Sequence, residues 1–533
     1  MDSTAPIQNA NRQIARAAGT VMAAFILSNL VGLLRDILIA RAFGVGVNMD
    51  SFNAANRVTE TLFNLIAGGA LASAFVPTFT GFLNREDRTG AWKLASAVTN
   101  LWLLALIGVS ILVGVFAPQV VRYGLYVLDP TSSVGQLDLT VNLLRIMLFS
   151  VAIFGVSGLV MGILNSYQIF LVPAIAPVMY SLGQILGATV LAKYWGIYGL
   201  AAGVVLGAVL HLLVQVPALL RLKGRQYLAT LGLDLPAVGQ VVRLMLPRLF
   251  GVAVVQLNFF VSTIIALSLT DGSVSSISYA WRLMLMPEMA IAQSIAVAAL
   301  PTFSRQVARG QPEEMRSSLA AALRVVLLLA LPASVGLILL RRPLIAFLYQ
   351  DGVVFTAQST EMVAWALLWY AAGLVGHSLV EVVSRAFYAL HDTRTPVMVG
   401  VVAMGLNIAF SLAFARLFIS WGWMPHGGLA LANSLATALE MGALLVLMRR
   451  RLHGLEGRRL GTALWQAALA ALAMGLAVEG WLYLAAQMRR VVSLGGGLLV
   501  GVVVYALVIY LLRVPELHSL VVIIKARIPR RAH

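Results

Sequence analysis

Runs of about twenty apolar residues, each long enough to cross roughly 30 Å of hydrocarbon as a helix, recur along the whole of this chain. That recurrence settles the fold class first. A backbone in lipid must satisfy its own N–H and C=O groups, and only helices and closed barrels do so. The residue-by-residue alternation of a membrane β-barrel is absent. The expectation is therefore an all-α polytopic membrane protein. Composition agrees: 60% of the 533 residues are hydrophobic and 11% are charged, against roughly 25% charged in a soluble domain. About fourteen transmembrane helices are expected, among them 17–43, 51–82, 239–269, 317–340, 461–486 and 492–512.

A net charge of +17 invites a nucleic-acid partner, but the basic residues sit in short loops between spans. Arg85, Arg88 and Lys93 form one group, and Arg221, Lys223 and Arg225 another. Arg305, Arg309 and Arg316 form a third, and Arg449–Arg451 with Arg458 and Arg459 a fourth. All fall on one side of the membrane in this count, so both termini are expected in the cytoplasm and no nucleic acid is implied. Arg341–Arg342 and Arg489–Arg490 break the rule. The chain has no cysteine, which excludes disulfides, thiol chemistry and thiolate-bound metal. No phosphate-binding loop, metal-spaced His/Glu cluster or Ser/His/Asp arrangement is present. The expectation is a multi-pass transporter of a plasma membrane, not an enzyme, with no catalytic residues, no metal and no cofactor.

The chain also repeats itself. Ala74-Phe-Val-Pro77-Thr-Phe is echoed by Ala299-Leu-Pro301-Thr-Phe, Pro173 by Pro396, and Gly199-Leu-Ala by Gly428-Leu-Ala, at offsets of 224, 223 and 229 residues. Two like-oriented six-helix lobes follow, residues 1–221 and 238–450, joined by a cytoplasmic linker at 222–237. Two additional helices at 451–515 have no counterpart, and 516–533 form a basic tail. Parallel repeats of this kind place a substrate site at their interface.

Against that frame, Ser28–Pro77 is unusual. It reads as two helices joined at Gly44–Asp50, yet carries Arg35, Asp36, Arg41, Arg57 and Glu60. A charge at mid-bilayer costs roughly 2.5–3.5 kcal/mol, so such residues face a protein interior or a wet cavity. Arg35, Arg57 and Arg282 each lie seven or eight residues inside the outer end of a span, roughly 10–13 Å deep at 1.5 Å per residue. Arginine's planar fork suits phosphate oxygens. The three therefore point to an anionic, phosphorylated substrate, with Asp36 and Glu60 placed to orient them. The competing reading makes each arginine a structural tie to Asp36, Glu60 or Glu288. Arg41 and Arg145 read as interfacial anchors, and Glu381, Arg385, His391, Asp392 and Arg394 as a cytoplasmic loop cluster. Asn407 and Ser411, like Asn258 and Ser262, stand one turn apart. Their oxygens could hold Na⁺, although interhelical hydrogen bonding is the commoner use. His211 and Glu440 are isolated polar residues that could carry protons.

The blocks GLLRDILIARAFG, DSFNAANRV followed by LFNLIAGGALASAFVPTF, and YAWRLMLMPEMAIAQSIAVAALPTFS closely resemble the lipid II flippase family (MurJ, formerly MviN) of the multidrug/oligosaccharidyl-lipid/polysaccharide exporter superfamily. The resemblance runs from about residue 12 to 450 and weakly through the last two spans. It implies a two-lobed fold of fourteen helices around a cationic cavity, the last two forming a lipid-tail groove with the C-terminal lobe. It also implies movement of the undecaprenyl-diphosphate-linked peptidoglycan precursor to the outer leaflet by alternating access. The family's essential charges fall on Arg35, Asp36, Asp50, Arg57 and Arg282. Membrane lipids and the cell-wall synthesis and division machinery are the partners it implies. The membrane potential is then the expected driving force, with Na⁺ as a coupling ion in some members. This chain departs from the family's pattern at Asn29, Phe63, Asn64 and Trp281, and Ser411 stands in place of the aspartate of the family's sodium pair. Gly32, Gly44, Gly46, Gly68 and Gly69 would let the first two helices bend or pack closely. Three rivals stay open: a flippase for another polyprenyl-diphosphate-linked glycan, a cation-coupled multidrug exporter, which would want buried carboxylates, and a scaffold that recruits partners through its loops.

Overall fold

A computed structural model describes residues 5–66, 69–129 and 132–514. Within them the chain is helical almost throughout. The helices are α1 (Ala5–Phe43), α2 (Val47–Ile66), α3 (Gly69–Asn84), α4 (Arg88–Val115), α5 (Val134–Ser166), α6 (Leu171–Trp195), α7 (Ile197–Leu220) and α8 (Pro236–Leu267). They continue as α9 (Ser273–Ala308), α10 (Pro312–Leu348), α11 (Ala357–Ala389), α12 (Arg394–Ser420), α13 (His426–Arg451), α14 (Gly457–Leu484) and α15 (Arg490–Leu511). Among the described residues, 12 helices are long and apolar enough to cross a membrane, or 13 if α8, bent by 48°, is one span. Of the expected span 51–82, α2 carries Asp50, Arg57 and Glu60 in 20 residues and α3 covers the part from Gly69 on; residues 67–68 between them, with Gly68, and the basic tail lie outside the described residues.

Local chemistry sets many helix ends. Asp87 accepts from Gly90 N at 2.8 Å, Ser133 from Gln136 N at 3.2 Å and Thr356 from Ser359 N at 3.3 Å, each side-chain oxygen satisfying one of the orphan donors of a first turn. Gly44 ends α1 in the left-handed region, φ +64°, its N–H on Ala40 O at 2.8 Å. A Cβ there would also sit 2.5 Å from Val354 O. Gly44 therefore terminates a helix and packs closely, where either bending or packing was expected. The span expected at 317–340 runs further: α10 continues to Leu348. In that helix Arg342 pairs with Glu361 at 2.8 Å, and Arg341 hydrogen-bonds Ile338 O.

The contacts divide the chain into two compact units, Met1–Ser275 with Val353–Phe355, and Ser276–Gly352 with Thr356–His533. This grouping takes α8 with the first unit, whereas the sequence repeat counts it with the second half; the one records packing, the other chain order. In the first unit Phe75, Phe79, Trp92, Leu94, Leu159, Ile163, Val241 and Met245 form a closed apolar core. There α6 meets α7 through glycines. A Cβ on Gly203 would lie 2.6 Å from Gly187 Cα, and one on Gly183 would strike Gly207, so the two backbones touch. In the second unit Phe303, Met315, Leu323, Leu379, Val383, Phe387 and Met448 make the core. α14 and α15 pack on α10, through Leu328 against Ala467, Ala470 and Ile509, and through Leu340 against Met474, Val478 and Leu494. Tyr505 Oη donates to Leu328 O at 2.6 Å.

Candidate functional site

Most of the charges nominated by sequence lie in the first unit, on α1 and α2. Arg35 folds back onto its neighbour: Nε and Nη2 donate to Asp36 Oδ1 at 3.0 and 2.9 Å, with the side chains 19% and 7% exposed. Midway along α2, Arg57 Nη1 donates to Glu60 Oε2 at 3.1 Å, the i,i+3 spacing that puts both on one face. Asn56 Nδ2 holds the other oxygen of Glu60 at 2.7 Å. The Arg57 guanidinium also lies over the Phe259 ring at 5.1 Å, a cation–π contact that steadies a cation where water is scarce. The tie reading is thus realised at Arg35 and Arg57. Arg57 and Glu60 nevertheless keep 26% and 45% exposure, a setting in which an ion pair is worth about 0–1 kcal/mol and exchanges readily. A doubly charged anion can compete for such an arginine. Arg35, more enclosed, is held more firmly. Arg41 is exposed near the end of α1.

Asp50 does something its sequence position did not announce. It is 3% exposed, and its two oxygens accept from Ser275 N and Gly272 N at 2.7 Å each. Both donors belong to the first turn of α9 and its cap, where backbone N–H groups lack helical partners and the helix dipole favours an anion. Asp50 is therefore a cap supplied from more than 220 residues upstream, and no local pattern could have revealed it. Asn56 and Phe259 were also missed. The four-residue spacing from Asn56 to Glu60 was a signal available in the sequence; Phe259 had none.

In the second unit Arg282 sits half-buried on α9 next to Trp281. That indole, standing where an acid is common in the resembled family, packs edge-on against Tyr370 and His377 of α11 at 5.2 and 5.5 Å. His377 Nε2 lies 3.0 Å from Asn433 Oδ1 and 3.3 Å from Thr437 Oγ1, so α9, α11 and α13 are joined around it. The tie that sequence suggested through Glu288 is not made by its Oε2, which is sealed from solvent with no hydrogen-bond partner among the described residues. Glu381 pairs with Arg385 at 2.7 Å. Asn407 and Ser411 are both buried, and Ser411 Oγ donates to Asn407 Oδ1 at 3.5 Å, a long bond within α12. Asn258 is buried on α8 of the first unit. His211 joins α5 to α7 through Ser157 Oγ at 2.6 Å, and Gln215 Nε2 reaches the same hydroxyl at 2.7 Å. Arg145, exposed about three turns into α5, donates to Gly114 O at 3.1 Å.

Known proteins share this pattern. The family described as "Lipid II flippase MurJ" matches residues 39–495. A relative from Burkholderia cenocepacia, named "Lipid II flippase MurJ", is 34% identical over 447 residues, covering 82% of this chain and 84% of its own. One from Vibrio cholerae, a "Probable lipid II flippase MurJ", is 30% identical over 456 residues, 83% of each chain. Among solved structures, "Lipid II flippase MurJ, inward closed conformation" superposes with a TM-score of 0.77 at 24% identity, over 92% of this chain and 97% of that one. An inward-facing multidrug resistance MATE family transporter of the MOP superfamily follows the same fold with a TM-score of 0.67 at 15% identity, over 83% and 99%. With the fold, the charged first helices and a match over most of its length in agreement, the chain belongs to the lipid II flippase MurJ family.

Proposed function

We propose that the chain is a lipid II flippase of the bacterial cytoplasmic membrane. It carries the undecaprenyl-diphosphate-linked peptidoglycan precursor from the inner to the outer leaflet by alternating access. The observation that carries this reading is the 34% identity, spread over more than four-fifths of both chains, to a relative named for that activity. Arg35, Arg57 and Arg282 are the diphosphate ligands. A guanidinium cannot shed its proton to escape lipid and offers two parallel donors to phosphate oxygens. Glu60 is the internal anion that the diphosphate displaces from Arg57. The membrane potential drives transfer: two negative charges moving outward gain about 2.3 kcal/mol each per 100 mV, roughly 4–5 kcal/mol in all. Both termini lie in the cytoplasm, in keeping with the basic loops. Na⁺ coupling through Asn407 and Ser411 would add to this drive. Cell-wall synthesis and division proteins are further partners.

The test is complementation. A bacterium depleted of its own flippase should regain growth and clear accumulated precursor when it expresses this chain. Arg57→Ala and Arg282→Ala should insert normally and fail to rescue. Rescue by both variants would remove these arginines from the mechanism, and failure of the unaltered chain, once inserted, would overturn the function itself.

A further inference from the structure

Residues 221–235 join α7 to α8 in the first unit without forming a helix. They fold back along α4 as a strap. Gly224 meets Arg88, a Cβ there standing 3.5 Å from Arg88 Cδ. Ser96 Oγ accepts from Leu228 N at 3.1 Å, and Asn100 Nδ2 donates to Leu228 O and Thr230 O at 2.9 and 2.8 Å. Tyr227 Oη donates to Asn100 Oδ1 at 2.6 Å. The chain then turns back: Gly232, at φ +56°, lies against Ala97, and Asp234 pairs with Lys93 at 3.8 Å. The tip of the strap therefore reaches furthest toward the apolar part of α4. Between tip and helix runs a groove of about 290 Å³, walled by Leu104, Ile107, Ala229 and Leu231, with Tyr227 and Thr230 at its polar edge.

The surroundings of the groove fix what it can hold. Leu104, Ile107, Ile111 and Leu112 of α4 are exposed, as on a helix facing acyl chains, and the strap adds Tyr227 and Leu233, 71% and 76% exposed. Water would penalise these side chains, whereas a membrane interface takes the ring of a tyrosine on its apolar side and the hydroxyl on its wet side. Irregular backbone is tolerated at that depth because Asn100 meets the carbonyls of Leu228 and Thr230. The charge is complementary to an anionic leaflet. Arg85, Arg88, Lys93, Arg221, Lys223 and Arg225 outnumber Glu86, Asp87 and Asp234 in these two segments. Of the three acids, Asp87 caps α4 and Asp234 is paired with Lys93. Basic side chains so placed draw anionic headgroups from within a Debye length. We propose that the groove binds an anionic phospholipid of the leaflet on the side that the basic loops assign to the cytoplasm. One acyl chain lies along Leu104, Ile107 and Leu231, and the phosphate sits in the field of the basic strap and the start of α4. The Thr230 hydroxyl, which accepts from Gly232 N at 3.1 Å, keeps its proton to give to an ester oxygen of the lipid. The site lies within one unit and does not depend on what the protein moves.

The chain has no cysteine, so Leu233→Cys gives a single attachment point for a fluorescent label beside the groove. The full chain is placed in phosphatidylcholine vesicles with a trace of doxyl-labelled lipid. Doxyl-phosphatidylglycerol should quench the label several-fold more strongly than doxyl-phosphatidylcholine, and aqueous iodide should barely quench it. A label at Leu112→Cys, on the exposed face of α4 beyond the strap, should be quenched equally by the two lipids. Adding Ala229→Phe, which fills the groove, should bring the Leu233→Cys label to that even ratio while leaving it shielded from iodide; Ile107→Trp fills the same groove from the helix side should the first variant not insert. Replacing Lys223 and Arg225 together by glutamine should also level the ratio. A preference that survives the groove-filling variants would mean diffuse attraction and would overturn the site. Equal quenching without them, or a label open to iodide, would overturn it as well. None of these outcomes bears on the flippase reading, since no transport is measured.

Discussion

The paired helices α6–α7 in the first unit and α12–α13 in the second occupy matching places in the sequence repeat, and they pack by opposite means. They start alike. A Cβ on Gly199 would strike Leu191, and one on Gly428 would lie 2.7 Å from the backbone of Phe414; Leu191 and Phe414 are themselves 223 residues apart, the offset of the repeat. Beyond that first contact they diverge. At the repeat's offsets of 229 and 223, Gly203 and Gly207 become Ala432 and Ala436, while Gly183 and Gly187 become Leu406 and Phe410. One pair brings bare backbones together; the other carries side chains at the corresponding positions, in a unit that also holds an aromatic cluster of Trp365, Trp369, Phe418 and Trp423. The charges divide in the same way. The ion pairs of α1 and α2 join residues one and three apart, whereas Arg342 and Glu361 of the second unit pair only because α10 and α11 pack. A duplicated topology therefore fixes where helices meet and leaves open what they use to meet.

Substitutions can break or sharpen that contrast. The largest effect is expected from Gly203→Leu, which drives a branched side chain into Gly187 where Cβ alone would already stand 2.6 Å away. Thermal unfolding in detergent should show a loss of about 3 kcal/mol or more, and an unchanged transition would mean that the α6–α7 seam is looser than described. Asp50→Ala comes next. It strands two buried N–H groups of the α9 cap, and the same measurement should register about 2–3 kcal/mol. In the side-chain-filled seam, Ala432→Gly removes one buried methyl without touching a backbone contact. It should cost about 1 kcal/mol; a loss as large as that of Gly203→Leu would erase the distinction between the units. Glu60→Gln should be the mildest for stability, within about 1 kcal/mol, because the pair with Arg57 is partly solvated. Freed from its own acid, Arg57 should bind inorganic diphosphate more tightly than in the unaltered protein, as read by titration of the purified chain.

What the sequence alone determined rests on short-range chemistry. Apolar run length required helices, because lipid supplies no hydrogen bonds to an open backbone. Spacing placed Arg35 beside Asp36 and Arg57 a turn from Glu60, since neighbours at i+3 share a face whatever the rest of the chain does. Repeated Pro and Gly positions exposed the duplication, and the block from Gly32 to Gly44 carried the family. Tertiary structure decided everything that needs two remote segments in register. Asp50 became a helix cap for Gly272 and Ser275, α6 and α7 were set at backbone contact, and α10 carried Arg341 and Arg342 in a helix past the end expected at residue 340. Glu288, a candidate tie by composition, has an Oε2 without a hydrogen-bond partner among the described residues. Loop charge and periodicity are local quantities; the partner of a buried polar group is chosen by packing, which no local window contains.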